Sequence, residues 1–328
     1  MLNKDLKLNE KIFEEAFEQK ATRDGFGEAL VELGNTNPNV VVLTADLSES
    51  TRADGFEKKF PERFFEVGVA EQNMAAIAAG LGVSGKIAFI SSYATFSPGK
   101  NWETIRTTII YNSSNVKIAG HHSGIMTGQD GATHQATEDI AITRAWPGIT
   151  ILVPCDSIEA KKVTLESANI NSPVYLRFTR DKSPIITTAD TPFDKNKMQV
   201  FWITETPKAV IFACGYMLYY ALLAAKNLEE KGINVLVTNA TTIKPADTET
   251  IVELSKKTGR VVTVEDHQIM GGLGGMVSEV LAKNHPTPME FIGLQDTFAE
   301  SGSPKDLIKK YKMDEVAIEE AVEKVLKR

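Results

Sequence analysis
One acid, Glu71, stands in the run FFEVGVAEQNM (residues 64–74) between the short β-rich stretch that opens it and a helical stretch that continues MAAIAAGLGVSG. Alanine and glycine there allow close backbone packing, so the carboxylate is expected to be buried. A buried ionised carboxylate is costly unless something pairs with it, which leaves a structural hydrogen-bonded acid or a functional one. Two later segments favour function. Tyr93-Ala94-Thr95-Phe96 follows the next strand, and HSGIMTGQDGATH, His122 to His134, follows the one after. That loop holds Asp130 between its histidines and has glycines at 124, 128 and 131 that let backbone approach a ligand closely. A zinc site would need a third strong ligand at tighter spacing. Acid, aromatic platform and polar loop would meet at one edge of a sheet. By themselves the residues leave the loop open between solvated polarity and a binding site. Arg180, ending YLRFTR, is likewise open between an anion-holding fork and an ion pair with Asp181 or another acid.

The elements that must position these groups read as alternating strands and helices. Thr22 is expected to cap a helix that carries Phe26, Ala29, Leu30 and Leu33 on one face and ends at Gly34. NVVVLTADL is apolar without alternation, as in a strand covered on both faces. KIAFISS, a helix around NWETIRTTII, NVKIAGHH, TILVP, the helix DSIEAKKVTLESANI and VYLRFTR continue the pattern. The fold class is therefore α/β with doubly wound parallel sheets. Proline and polar residues interrupt the rhythm across 183–207, so a larger domain over 1–185, a linker over 186–206 and a smaller α/β domain over 207–328 are expected.

In the second domain GGLGG (271–275) opens a helix after a strand. It lacks G-x-G-x-x-G spacing, and no acid ends the following strand MEFIGL, which favours a tight turn over a dinucleotide site. His267, in VEDHQIMGG, is expected to be a hydrogen-bonded structural or interface group.

At 328 residues, 42% hydrophobic and 24% charged, the chain is globular, not disordered or fibrous. A net charge of −7 argues against a nucleic-acid surface, while a local basic pocket for phosphorylated small molecules would not show in that total. No export signal or membrane-length apolar stretch is apparent, so a cytoplasmic protein is expected. Cys155 and Cys214 lie in apolar, strand-like surroundings and read as buried thiols.

On Glu71 in VAEQNM, the aromatic segment and the loop, the chain resembles the transketolase-like thiamine diphosphate enzymes, in the half that holds the cofactor's pyrimidine. The resemblance implies that Glu71 donates a proton to the pyrimidine ring nitrogen, favouring the imino tautomer that takes the thiazolium proton. It implies that Phe96 stacks on the pyrimidine with Tyr93 nearby. Asp46 and Ser50, in ADLSES, match an acid near the thiazolium and a hydroxyl near the substrate phosphate.

His122, Asp130 and His134 fall in order on the family pattern His-(seven residues)-Asp-Gly-x-Thr-His. His134 is then implied as catalytic with Glu71, addressing hydroxyls of the two-carbon end, with Asp130 on a sugar hydroxyl and His122 and Arg180 at the phosphate. One departure is visible: the family's further Phe and Tyr are replaced by Gly99 and Trp102. The family's GDG and downstream Asn, which hold the metal bridging the diphosphate, have no counterpart in residues 1–328.

The resemblance therefore implies the C-terminal, pyrimidine-binding subunit of a split transketolase of the pentose phosphate type, moving a two-carbon ketol unit between sugar phosphates. Its implied partner is an N-terminal subunit holding the diphosphate and Mg2+ or Ca2+, in an α2β2 assembly, with no metal site on this chain. The rivals are the β subunit of a 2-oxoacid dehydrogenase first component, which lacks the DGxTH pattern and the arginine, and half of a deoxyxylulose-phosphate synthase, which has an arginine at the His122 position.

Overall fold
A computed structural model describes residues 1–328. The strands in chain order are β1 (Gln19–Ala21), β2 (Val40–Thr44), β3 (Phe64–Glu66), β4 (Ile87–Tyr93), β5 (Val116–His121), β6 (Thr150–Leu152), β7 (Val174–Arg177), β8 (Lys182–Pro184), β9 (Gln199–Trp202), β10 (Ala209–Ala213), β11 (Val235–Asn239), β12 (Thr242–Lys244), β13 (Val261–Gln268) and β14 (Met289–Leu294). The helices are α1 (Thr22–Thr36), α2 (Asp54–Lys59), α3 (Glu71–Val83), α4 (Trp102–Thr104, running on as wider turns to Ile110), α5 (Asp139–Arg144), α6 (Ser157–Ser167), α7 (Met217–Glu230), α8 (Thr248–Thr258), α9 (Leu273–Asn284), α10 (Pro304–Lys310) and α11 (Glu315–Val325).

They build a seven-stranded sheet, ordered β12-β6-β7-β5-β4-β2-β3, a five-stranded sheet, ordered β14-β13-β10-β11-β9, and a two-stranded antiparallel pair, β1-β8. Strands β2 to β7 of the first sheet run parallel. Helices cover both of its faces, which is why every residue of β2 and β5 is buried and neither strand alternates. In such a sheet, loops at the carboxyl ends of the strands share one edge and form its natural ligand site.

Three expectations are corrected. Ala21, not Thr22, occupies the cap position of α1; the Thr22 hydroxyl accepts the Thr179 N–H (2.7 Å) and meets the Thr179 hydroxyl (3.0 Å). That helix also runs past Gly34 to Thr36, and the glycine is there for packing: a Cβ would sit 2.2 Å from the Phe60 ring.

The division into domains is less sequential than composition suggests. Residues 199–202, inside the expected linker, form the edge strand β9 of the second sheet, antiparallel to β11. Leu8 and Ile12, expected with the first domain, are buried in the core of the second with Trp202, and Asn3 N–H bonds to the Phe201 carbonyl at 2.8 Å. Conversely β12, from the second unit, pairs with β6 and completes the first sheet. No helix is long and apolar enough to cross a membrane.

Candidate active site
Glu71 is the first residue of α3, and its side chain is 3% exposed. Lys100 donates to its Oε2 at 2.8 Å, and Asn101 Nδ2 donates to its backbone carbonyl at 2.9 Å. The acid is thereby joined to the segment after β4, which carries Phe96 and begins next to Tyr93, the last residue of that strand. The partner was open to inference from sequence: a buried acid needs a counter-charge, and Lys100 is the only charged residue between Lys86 and Glu103.

The aromatic segment and the loop after β5 converge. Tyr93 stacks on His122 with ring centroids 3.7 Å apart and on Phe96 at 5.6 Å, while His134 meets the edge of Phe96 at 5.5 Å and of Tyr93 at 6.1 Å. His122 is buried in a left-handed backbone conformation (φ 54°), and its Nδ1 has no hydrogen-bond partner in the chain. Burial first, then the charges of Arg23, Arg180 and His134, push its imidazolium down to about 3. His122 is therefore a neutral ring at ordinary pH. His134 Nδ1 bonds the Thr133 hydroxyl at 2.9 Å, which leaves the other ring nitrogen for a ligand.

Arg180 donates to the Thr127 carbonyl at 2.8 Å and lies 3.5 Å from Asp130; the two side chains are 35% and 33% exposed. The possible ion pair with Asp181 is not formed, and Asp130 takes that place. A half-exposed pair at that distance contributes little to stability, so both groups are free to change partners. Asp46, exposed and also left-handed (φ 62°), sits after β2 with its N–H held by Glu66 at 2.8 Å. Non-glycine residues in that region concentrate at functional sites.

Sequence reasoning missed Arg23. It donates to the Ser50 carbonyl at 2.7 Å, and its buried Nε has no partner in the chain. The bonds between Thr22 and Thr179 bring the start of α1 to the chain just before Arg180, so two arginines make a positive corner beside Ser50 and the neutral His122. A faint signal existed: a cation in the first turn of a helix runs against the helix dipole.

Trp102, one of the two departures from the family's aromatic pattern, faces away from this cluster. It stacks on Trp146 (5.6 Å), and its indole N–H donates to the Ile142 carbonyl at 3.0 Å.

The second domain holds the loop in place from behind. Asp266 accepts the Ile125 N–H at 3.0 Å, Gln135 donates to the Glu300 carbonyl at 3.1 Å, and Gln268 N–H donates to the Thr137 carbonyl at 2.7 Å. Gly124 (φ +72°) is required there, because a Cβ would lie 1.9 Å from the Asp266 carboxylate. The neighbours of Asp266 are structural. Glu265 accepts the Leu273 and Gly274 N–H groups (2.7 and 2.8 Å), so the glycine turn is closed by the chain's own carboxylate where a dinucleotide's phosphate would bind. His267 is buried and accepts the Ala141 N–H at 3.3 Å. Both cysteines are buried, and burial pushes both thiols up.

A buried carboxyl bonded to an aromatic segment, beside polar groups and cations at the carboxyl edge of a parallel sheet, is an arrangement that can hold a heteroaromatic ring and a polar, anionic ligand. Residues 18–185 match the transketolase pyrimidine-binding domain and residues 200–318 the transketolase C-terminal domain. A Methanocaldococcus jannaschii protein provisionally named a transketolase C-terminal section is 43% identical over 94% of this chain and 97% of its own length. One of the subunits of the apulose-4-phosphate transketolase of Phocaeicola vulgatus is 35% identical over 91% of this chain and 95% of its own. The solved structure of a split-gene transketolase, described as an inactive β4 tetramer, superposes with a TM-score of 0.87 at 43% identity, covering 94% of this chain and 98% of that one. The chain belongs to the transketolase family, whose members use thiamine diphosphate.

Proposed function
We propose that this chain is the pyrimidine-binding, C-terminal subunit of a split transketolase, transferring a two-carbon ketol unit from a ketose phosphate to an aldose phosphate. The observation that carries the reading is the meeting of Glu71, Tyr93 and Phe96 with His122, Asp130, His134 and Arg180 along one sheet edge.

The residues fit the pyrimidine of thiamine diphosphate: a buried carboxyl able to bond a ring nitrogen, and an aromatic face on the segment joined to it. When bound, the cofactor would supply a carbon acid whose conjugate base is the nucleophile toward the ketose carbonyl, and the electron sink for carbon–carbon cleavage. Glu71 would bond the ring nitrogen, and Phe96 would cover the ring. Asp46 would face the thiazolium. His134 and Asp130 would hold the sugar hydroxyls. Arg180, His122, Ser50 and Arg23 would take the phosphate; permanently charged guanidinium forks suit it, and the unpartnered His122 and Arg23 nitrogens are free for it.

The partner subunit would hold the diphosphate and Mg2+ or Ca2+, with an α2β2 complex in the cytoplasm. The apulose-4-phosphate transketolase relative and the split-gene structure support a partner, since each is a chain of matching extent, 95% and 98% of it covered by this one.

Mixing this chain with a subunit bearing GDG and the downstream Asn, plus thiamine diphosphate and Mg2+, should give ketol transfer between sugar phosphates that neither chain shows alone. Turnover by the isolated chain would overturn the split assignment. Activity on pyruvate with a lipoyl acceptor, and none on ketose phosphates, would overturn the transketolase assignment.

A further inference from the structure
Glu71 and Lys100 form an unequal pair. The carboxylate side chain is 3% exposed and the lysine side chain 52% exposed. Lys100 makes no other side-chain bond, whereas its neighbour Asn101 is fully buried and tied down: its side chain donates to the Glu71 carbonyl at 2.9 Å and to the Ser97 hydroxyl at 3.3 Å, and its N–H donates to the Phe96 carbonyl at 3.2 Å. The backbone beside the acid is therefore fixed, while the ammonium is held by the carboxylate alone. Lys100 can swing into water at small cost. Glu71 cannot, and left ionised without a partner it would be an uncompensated buried charge.

The ion pair needs an ionised carboxylate, whereas Glu71 acting as donor to a ring nitrogen needs a proton on it. From this conflict we infer that Lys100 is a cofactor-exchange residue, a placeholder that compensates Glu71 while the pyrimidine is absent and gives up the carboxylate when it binds. The step balances simply. The contact between Nζ and Oε2 breaks, one solvent proton joins the Glu71 carboxylate, and the resulting O–H donates to the ring nitrogen. Lys100 stays protonated and moves to solvent. This rests on the proposed role of Glu71.

The test is amine acylation of Lys100, followed by mass spectrometry of the full chain, in wild type and Glu71→Gln. Lys100 should be acylated about 2-fold to 5-fold more slowly in wild type, the order expected for loss of one ion pair. In the complex with the partner subunit, thiamine diphosphate should raise the wild-type rate to that of Glu71→Gln. Lys100→Met, which keeps the stem and removes the charge, should bind thiamine diphosphate about 2-fold to 5-fold more tightly by calorimetry. Equal acylation in wild type and Glu71→Gln, or Lys100 still protected with cofactor bound, overturns the placeholder alone. Cofactor affinity unchanged in both Glu71→Gln and Lys100→Met overturns the assignment of Glu71, and the placeholder with it.

Discussion

Asp139 and Glu71 are both buried carboxylates at the first position of a helix, α5 and α3. Asp139 is gripped by Arg177 through two bonds, Nε to Oδ2 at 2.8 Å and Nη2 to Oδ1 at 3.2 Å, and it accepts the Tyr175 hydroxyl at 2.5 Å. Arg177 in turn donates to the Asp266 carbonyl at 2.8 Å, across to the second domain. Burial alone would push Asp139 up, but the charge and hydrogen bonds of Arg177 outweigh it and hold the carboxyl below its usual range. Every partner of Asp139 is as buried as the acid, so none can leave. The bonded partner of the Glu71 carboxylate is a lysine that faces water. Charge, helix position and burial are shared; the partners differ in kind and in permanence, and a partner that can leave makes a buried acid accessible to another bond.

The sharpest break of this comparison is Glu71→Gln in the reconstituted complex. Turnover should fall by roughly 10²-fold to 10⁴-fold, the range for a general acid–base group, with thermal unfolding little changed. Near-normal turnover at full cofactor saturation would place Glu71 with Asp139 among the structural acids. Asp139→Ala should do the opposite. It strands Arg177 as an unpaired buried charge, and urea unfolding should show a loss of about 3–5 kcal/mol. A loss under 1 kcal/mol would mean that Arg177 finds other partners (roughly the size of an exposed pair).

Arg180 sharpens the comparison on the substrate side, since its partner Asp130 is also half exposed and replaceable. Arg180→Ala should lower kcat/KM for phosphorylated donors by about 10-fold to 150-fold, the value of a hydrogen bond to a charged group, and barely touch an unphosphorylated donor such as hydroxypyruvate. Equal losses on both donors would make Arg180 structural.

Lys117 extends the comparison to a buried cation, with a small effect per pH unit. It is buried with no counter-charge, its ammonium bonded to the carbonyls of Ile170 and Ser172 (2.9 Å for the latter), and burial pushes it down to about 7. A folded value below the unfolded one means that the unfolded chain binds the extra proton between about pH 7 and pH 10. Stability should therefore rise with pH across that window, by roughly 1 kcal/mol per unit, with the cost of charging fully present below it. Unfolding free energies at pH 7, 8 and 9 should lose this slope in Lys117→Met; an unchanged slope would assign it to other groups.

The sequence by itself determined the parallel α/β architecture, because strands covered on both faces must be apolar throughout, as VVVLT and VKIAGH are. It also located the acid, the aromatic segment and the loop, because residues after successive parallel strands share one sheet edge whatever the details of packing. It did not determine which side chains face one another. Arg23 lies 157 residues from Arg180 in sequence, and the bonds between Thr22 and Thr179 that bring their neighbourhoods together are long-range. Likewise the N-terminal arm and β12 cross between the two domains, and β9 extends the second sheet from the expected linker, because unpaired edges and exposed apolar faces are covered by whatever part of the chain reaches them. Local pattern records burial and period. Partner choice among distant groups, such as Lys100 for Glu71 and Arg177 for Asp139, is settled only when the folded chain fixes which charges are desolvated together.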